Sequence, residues 1–74
     1  MMDDSAKLRL AGEAAEVLEQ MGFTAVGRLK SGYVWLELWR DGTAMRYELS
    51  AAEVSPRALA EACVREFELR ARDC

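Results

Sequence analysis

Residues 31–42 read SGYVWLELWRDG, and this stretch decides the fold. Between Ser31-Gly32 and Asp41-Gly42, apolar side chains alternate with aromatic and charged ones at the period of two that is typical of a β-strand. Each flanking dipeptide has the length and composition of a two-residue hairpin loop. The stretch therefore predicts a central strand with an antiparallel neighbour on each side. The three predicted strands cover residues 23–30, 33–40 and 43–49.

Two amphipathic helices are predicted to flank the strands, over 4–21 and 55–72. In each helix, apolar residues recur at spacings of three and four, which places them on one stripe. The first stripe consists of Leu10, Ala11, Ala14, Val17, Leu18 and Met21. The second consists of Leu59, Ala60, Cys63, Val64, Phe67 and Ala71. The chain is therefore predicted to be a single α+β domain over 1–74. We expect an α-β-β-β-α two-layer sandwich, with both helices on one face of a three-stranded antiparallel meander.

Capping residues mark where these helices begin and end. Asp4 or Ser5 is predicted to accept hydrogen bonds from the first turn of the first helix, and Gly22 to provide a left-handed cap at its end. Ser55-Pro56 places an N-cap directly before a proline at the first position of the second helix. The segment 50–53 has the form of a capping box and predicts one further helical turn.

The two short loops fix the register of the strands and therefore their faces. One face is almost wholly apolar, and the helices must cover it: Phe23, Ala25, Gly27, Leu29, Val34, Leu36, Leu38, Met45, Tyr47 and Leu49. The other face carries Thr24, Val26, Arg28, Lys30, Tyr33, Trp35, Glu37, Trp39, Ala44, Arg46 and Glu48. Two helices with one apolar stripe each leave this second face uncovered.

The uncovered face is predicted to bind a protein partner. Trp, Tyr and Arg are the residue types most enriched at the energetic centres of protein interfaces, and charged side chains commonly surround aromatic anchors there. Three of the six aromatic residues of the chain lie on this face, along one strand. The predicted partner-binding residues are Tyr33, Trp35, Trp39, Arg28, Glu37 and Arg46.

Three other uses of the same face stay open. It could bury itself against a second copy in a symmetric homodimer. The stems of Arg28, Lys30 and Arg46 could cover the indoles through cation–π contacts. A single-stranded nucleic acid could stack its bases on the aromatic rings, although Glu37 and Glu48 on the same face oppose this.

The composition argues against catalysis, metal binding and a membrane span. The chain has 74 residues, a net charge of −3 and no histidine, which removes the commonest general base and metal ligand. Cys63 and Cys74 lie too far apart on one helix to form a disulfide, and no apolar run approaches the ~18 residues of a membrane span. We therefore expect no enzyme activity, cofactor or metal. The acidic start, Met1-Met2-Asp3-Asp4, is unlike a secretory signal, and a reducing cytoplasm is the expected compartment.

The element order resembles that of double-stranded-RNA-binding domains over nearly the whole chain. That family has a Lys-rich start to its last helix and a longer loop after its first strand. Here these places hold Ser55-Pro56-Arg57-Ala58-Leu59-Ala60-Glu61 and Ser31-Gly32. The resemblance is therefore one of topology, and the net negative charge also makes nucleic-acid binding an unfavoured prediction.

In size, charge and build, the chain resembles the small phage-encoded inhibitor proteins, of which anti-CRISPR proteins are the best-known group. The resemblance implies a stoichiometric inhibitor in the host cytoplasm that blocks a larger bacterial complex, such as a defence complex. Some such proteins mimic DNA with carboxylates. Glu13, Glu16 and Glu19, together with Asp3 and Asp4, could form an acidic ridge of this kind on the first helix, and ordinary solvation of a helix face is the alternative.

Overall fold

The structure, a computed structural model, describes residues 3–49 and 55–72. Its elements are α1 (Asp4–Gln20), β1 (Thr24–Lys30), β2 (Tyr33–Arg40), β3 (Thr43–Glu48) and α2 (Pro56–Arg72). The strands form one antiparallel sheet in the order β1-β2-β3. The predicted α-β-β-β-α order and α+β class are therefore confirmed. The helical turn predicted at 50–53 lies outside the described residues.

The predicted element ends are accurate to within one residue. Phe23 precedes β1 rather than belonging to it, and Leu49 follows β3 while its backbone N–H still donates to the Val34 carbonyl at 3.0 Å. The prediction for the first cap was wrong, because Asp3 rather than Asp4 or Ser5 accepts from the backbone N–H of Ala6, at 2.8 Å.

The other two predicted caps are present. Gly22 follows α1 with a φ of +95°, in the left-handed region that favours glycine. The Ser55 hydroxyl accepts from the backbone N–H of Ala58 at 3.1 Å and thus satisfies an amide of the first turn of α2.

The register of the sheet agrees with the prediction from loop length. Lys30 pairs with Tyr33 across the Ser31-Gly32 loop, and Arg40 pairs with Thr43 across Asp41-Gly42. Both residues of each loop have positive φ, between +53° and +81°, as a type I′ turn requires. A two-residue loop of this type fixes the register of the two strands that it joins, and the register determines which side chains share a face.

The core lies between the helices and one face of the sheet. α1 packs against β1, β2 and α2, whereas α2 packs against α1 and β3. Leu18, Leu36, Leu38 and Leu59 are completely buried there. Neither described helix is long and apolar enough to cross a membrane.

The periodicity predicted some burial that the structure does not show. Met21 is 42% exposed at the end of α1, Leu29 is 51% exposed at the end of β1, and Ala71 is exposed near the end of α2. Ala15, which the predicted stripe omitted, is buried. Each exposed residue lies at the end of its element, where the opposite layer no longer covers it.

One close approach between the layers depends on a glycine. A Cβ added to Gly27 of β1 would lie 2.8 Å from the Cβ of Ala11 and 3.3 Å from the backbone N of Gly12. Because those atoms belong to α1, a larger residue at 27 would force the helix away from the sheet. Gly27 therefore sets the distance between α1 and β1.

Candidate functional site

The candidate site is the face of the sheet opposite the helices, which we call the open face. It consists of Thr24, Val26, Arg28, Lys30, Tyr33, Trp35, Glu37, Trp39, Ala44, Arg46 and Glu48. Alternation along β2 explains this division, because Val34, Leu36 and Leu38 are buried toward the helices and the residues between them point the other way. No described helix or strand covers this second face.

The aromatic residues of the open face follow the central strand. Tyr33 is 55% exposed and Trp39 is 41% exposed, whereas Trp35 is half-buried. Trp35 has a cross-strand neighbour on each side, Arg28 on β1 and Glu48 on β3. The aromatic residues of the open face thus lie along one strand, with Glu37 between the two tryptophans, and they are most accessible at the two ends of the strand.

A carboxylate lies between two arginines at the centre of the open face. The Arg28 Nε donates to Glu37 Oε1 at 2.8 Å, and the Arg46 Nε lies 4.0 Å from Glu37 Oε2. Arg46 is directly opposite Glu37 on β3, while Arg28 faces Trp35 and reaches Glu37 diagonally. The side chain of Glu37 is 23% exposed, against 58% and 60% for the two arginines. The carboxylate is thus hydrogen-bonded to Arg28 and lies within ion-pair distance of Arg46.

The open face also contains two shallow depressions. One, of ≈ 370 Å³, is lined by Lys30, Glu37, Trp39, Ala44, Met45 and Arg46. The other, of ≈ 610 Å³, is lined by Arg28, Leu29, Lys30 and Glu37. Both are open to solvent and lie on the surface. Their polar linings are therefore more suited to side chains of a macromolecule than to an enclosed small ligand.

The structure brings the six predicted partner-binding residues onto this one surface. Trp35, Glu37 and Trp39 alternate along β2, with Arg28 and Arg46 on the neighbouring strands and Tyr33 at the start of β2. The acidic residues predicted as an alternative site, Glu13, Glu16 and Glu19, are exposed on α1 and belong to the other layer of the fold.

Cation–π contacts involve other residues than expected. Within the part of the chain that the structure describes, Arg40 makes them, with its Cζ 4.2 Å from the Phe23 ring centroid and 5.7 Å from that of Phe67. The two phenylalanine rings pack edge to face, with centroids 5.0 Å apart. The alternation of β2 places Arg40 on the helix-facing side, as it does Leu36 and Leu38. Only the position of α2 shows which aromatic rings Arg40 contacts.

The described residues contain no group of three or more His, Cys, Asp or Glu side chains that could hold a metal ion. Cys63 is buried in the core. The open face thus offers aromatic rings and paired charges, a set of groups that can bind a surface by stacking, burial and hydrogen bonding.

No family model, curated protein or solved structure matches this chain.

Proposed function

We propose that this protein is a small, non-catalytic interaction module that binds a protein partner through its open face. One observation supports this proposal most directly: Tyr33 and Trp39 expose 55% and 41% of their surface on a sheet face that no described element covers. Large aromatic side chains bury ~150–250 Å² each when they enter an interface, and they dominate binding energies. Tyr33, Trp35 and Trp39, which we call the aromatic column, therefore have surface that a partner could bury and that no described element of this chain buries.

The charges around the aromatic column supply orientation. The Arg28 Nε donates to Glu37 at 2.8 Å and is thereby oriented before a partner arrives, while the Arg46 Nε lies 4.0 Å from the same carboxylate. Such preorganisation reduces the entropy that is lost when flexible side chains are fixed on binding. We propose that Trp35, Trp39 and Tyr33 provide affinity and that the arginine-carboxylate cluster selects the orientation.

The same cluster favours a protein over a nucleic acid as the partner. Arg28 and Arg46 already have a carboxylate between them, so a phosphate would have to compete with Glu37 for both. A second carboxylate, Glu48, lies on the same face opposite Trp35. Titration with short single-stranded DNA at low and high salt tests this choice. Quenching of tryptophan fluorescence that disappears at high salt would support base stacking instead.

A finer part of the proposal concerns what the partner is. The resemblance in size, charge and build to phage-encoded inhibitors of the anti-CRISPR kind suggests a larger bacterial complex that is blocked by binding. The test is plasmid interference in a bacterium with an active CRISPR system, with and without expression of this chain. Restored plasmid uptake that is lost in a Trp35→Ala/Trp39→Ala variant supports inhibition through the open face.

Affinity capture from bacterial lysate tests the binding surface itself. The matched control for Trp35→Ala/Trp39→Ala is Met21→Ala/Leu69→Ala, because Met21 is 42% and Leu69 is 55% exposed on the helices. We expect a partner that is retained by the native chain and by this control and lost by the tryptophan variant.

A third variant separates the open face from the acidic surface of α1. Reversal of charge at Glu13, Glu16 and Glu19 should leave capture intact if the open face binds. Loss of the partner in this variant, with capture intact in the tryptophan variant, would instead support DNA mimicry by α1 and contradict the proposal. Circular dichroism of each variant shows that it remains folded.

A further inference from the structure

The outer edge of β1 carries backbone groups without a partner among the described residues. Lys30 and Tyr33 close a two-residue loop, so they exchange both backbone hydrogen bonds, and every second residue of β1 does the same with β2. The backbone N–H and C=O groups of Ala25, Gly27 and Leu29 therefore point away from the sheet. None of the described hydrogen bonds outside the helices and the sheet involves these groups.

The outer edge of β1 is covered by no described element. Among the described elements β1 contacts only β2, on its inner edge, and α1, which packs on the core face of the sheet. β1 pairs with β2 over all seven of its residues without a bulge, and it contains no proline. Its last apolar residue, Leu29, is 51% exposed. An edge of this kind can pair with another strand, because its backbone N–H and C=O groups are unpaired and neither a bulge nor a proline obstructs them.

We infer that the outer edge of β1 pairs with the same edge of a second copy, antiparallel about a two-fold axis at Gly27. In this register Gly27 faces the Gly27 of the second copy, and Ala25 faces the second copy's Leu29. The pairing therefore covers part of the exposed Leu29 side chain. The outward amides of both strands then form about six hydrogen bonds. The two sheets join into one of six strands.

The charged side chains of β1 are compatible with this register. Arg28 faces the uncharged Val26 of the second copy, and Lys30 faces its Thr24, so no like charges are directly opposed across the new strand pair. Like charges in that position would be unfavourable. Basic side chains on an edge strand often prevent pairing with another strand. In this register Arg28 and Lys30 do not.

A second glycine, Gly12 of α1, lies close to Gly27 at the middle of the β1 edge. Gly12 of α1 lies directly over Gly27, since its backbone N is 3.3 Å from the position of a Cβ at Gly27. A Cβ at Gly12 would itself meet nothing within 4 Å. The α1 helices of the two copies would approach most closely at this point, and a glycine there leaves them room.

The area of the open face gives a further reason, which rests on the proposed function. Three strands ~4.8 Å apart and eight residues at ~3.3 Å each give one open face a projected area of roughly 380 Å². Each partner in a stable interface of standard size buries ~800 Å². Pairing of β1 edges joins two open faces into one surface of about that size.

Sedimentation and amide hydrogen exchange of the isolated protein test the pairing directly. We expect a species of twice the 8.3 kDa chain mass that grows with concentration. The amides of Ala25, Gly27 and Leu29 should become protected over the same range. A chain that stays monomeric at millimolar concentration, or a dimer in which these amides exchange freely, would overturn the inference. Neither result depends on a partner protein, so failure here is distinct from failure of the proposed function.

Two proline variants locate the edge. Leu29→Pro removes an outward N–H from β1, and Ala44→Pro removes an outward N–H from β3; neither amide bonds to β2. We expect Leu29→Pro to raise the dimer dissociation constant by about tenfold or more, and Ala44→Pro to leave it unchanged. Equal effects of the two variants would contradict pairing through β1.

The register is tested by a charge at Val26, which lies on the open face and is partly exposed. Val26→Lys places a cation opposite the second copy's Arg28, and Val26→Glu places an anion there. The dissociation constant should rise about 2- to 30-fold in the first variant and fall by a similar factor in the second, since each dimer contains the contact twice. Within one chain residue 26 faces Glu37, so stability of the monomer should change in the opposite direction. Equal dimer affinity in both variants would exclude this register.

Discussion

Leu36 and Leu38 are completely buried on one side of β2, whereas Trp39, the next residue along the strand, exposes 41% of its surface on the other side. The helix-facing side of the sheet is closely packed, with Gly27 required for the approach of α1. The open face has no described cover and carries both tryptophans and five charged side chains. The alternation along one strand thus places residues with two different requirements on its two sides. On the helix-facing side the side chains must fit a packed core, and on the open side they determine what the surface can bind.

The largest difference between the two faces should appear on truncation of neighbouring residues of β2. Leu36→Ala leaves a cavity in a completely buried site, and we expect it to lower the free energy of unfolding by ~2–5 kcal/mol. Trp39→Ala removes a larger side chain from an exposed site, and a loss below ~1.5 kcal/mol is expected. Urea denaturation followed by circular dichroism measures both.

Partner binding should show the reverse order. Trp39→Ala is expected to weaken binding by ~2 kcal/mol or more, which is the range of an interface hot spot. Leu36→Ala, measured where it remains folded, should bind almost normally. If Trp39→Ala costs more stability than Leu36→Ala and leaves binding unchanged, the open face is a structural surface and the comparison fails.

A smaller effect should distinguish two glycines that lie close together. Gly27→Ala introduces a Cβ 2.8 Å from the Cβ of Ala11, which is fixed to the α1 backbone, so α1 must shift. We expect a loss of ~1–3 kcal/mol in the free energy of unfolding. Gly12→Ala meets nothing within 4 Å and should instead stabilise α1, by up to ~1 kcal/mol.

Thermal denaturation of the two variants gives the sign of each change. Gly27→Ala should cost less in an Ala11→Gly background than in the native chain, because Ala11→Gly removes the atom that clashes; the comparison with Ala11→Gly alone subtracts the cost of a glycine within the helix. An equal cost of Gly27→Ala in both backgrounds would mean that the glycine acts through the conformation of the strand rather than through the approach of α1.

The sequence could predict which face each side chain occupies, because alternation and two-residue loops determine the register. It could not predict how far each layer extends. Met21, Leu29 and Ala71 have the spacing of core residues and are exposed, since they lie beyond the opposite layer. The sequence also could not predict which side chains of the open face lie in contact. Register placed Arg46 opposite Glu37, yet the shorter contact is the diagonal one from Arg28.

The smallest expected effect concerns the charge of Glu37. Glu37→Gln keeps the shape of the side chain and removes the anion between two arginines. Because Arg28 is 58% and Arg46 is 60% exposed, water and salt screen the pairs, and the stability loss should be about 0.5 kcal/mol or less. Glu48→Gln removes the same charge from the same face, at a position where no described residue forms an ion pair with it, so it is the matched control.

If Glu37 acts by holding the arginines, Glu37→Gln should weaken partner binding more than Glu48→Gln does, and by more than its own loss of stability. Its stability loss should also shrink at ~1 M salt, where the screening length is only ~3 Å. Equal effects of the two variants on binding would mean that the net charge of the open face matters and the arrangement around Glu37 does not. The carboxylate would then be part of the solvated surface, and recognition would depend on the aromatic column alone.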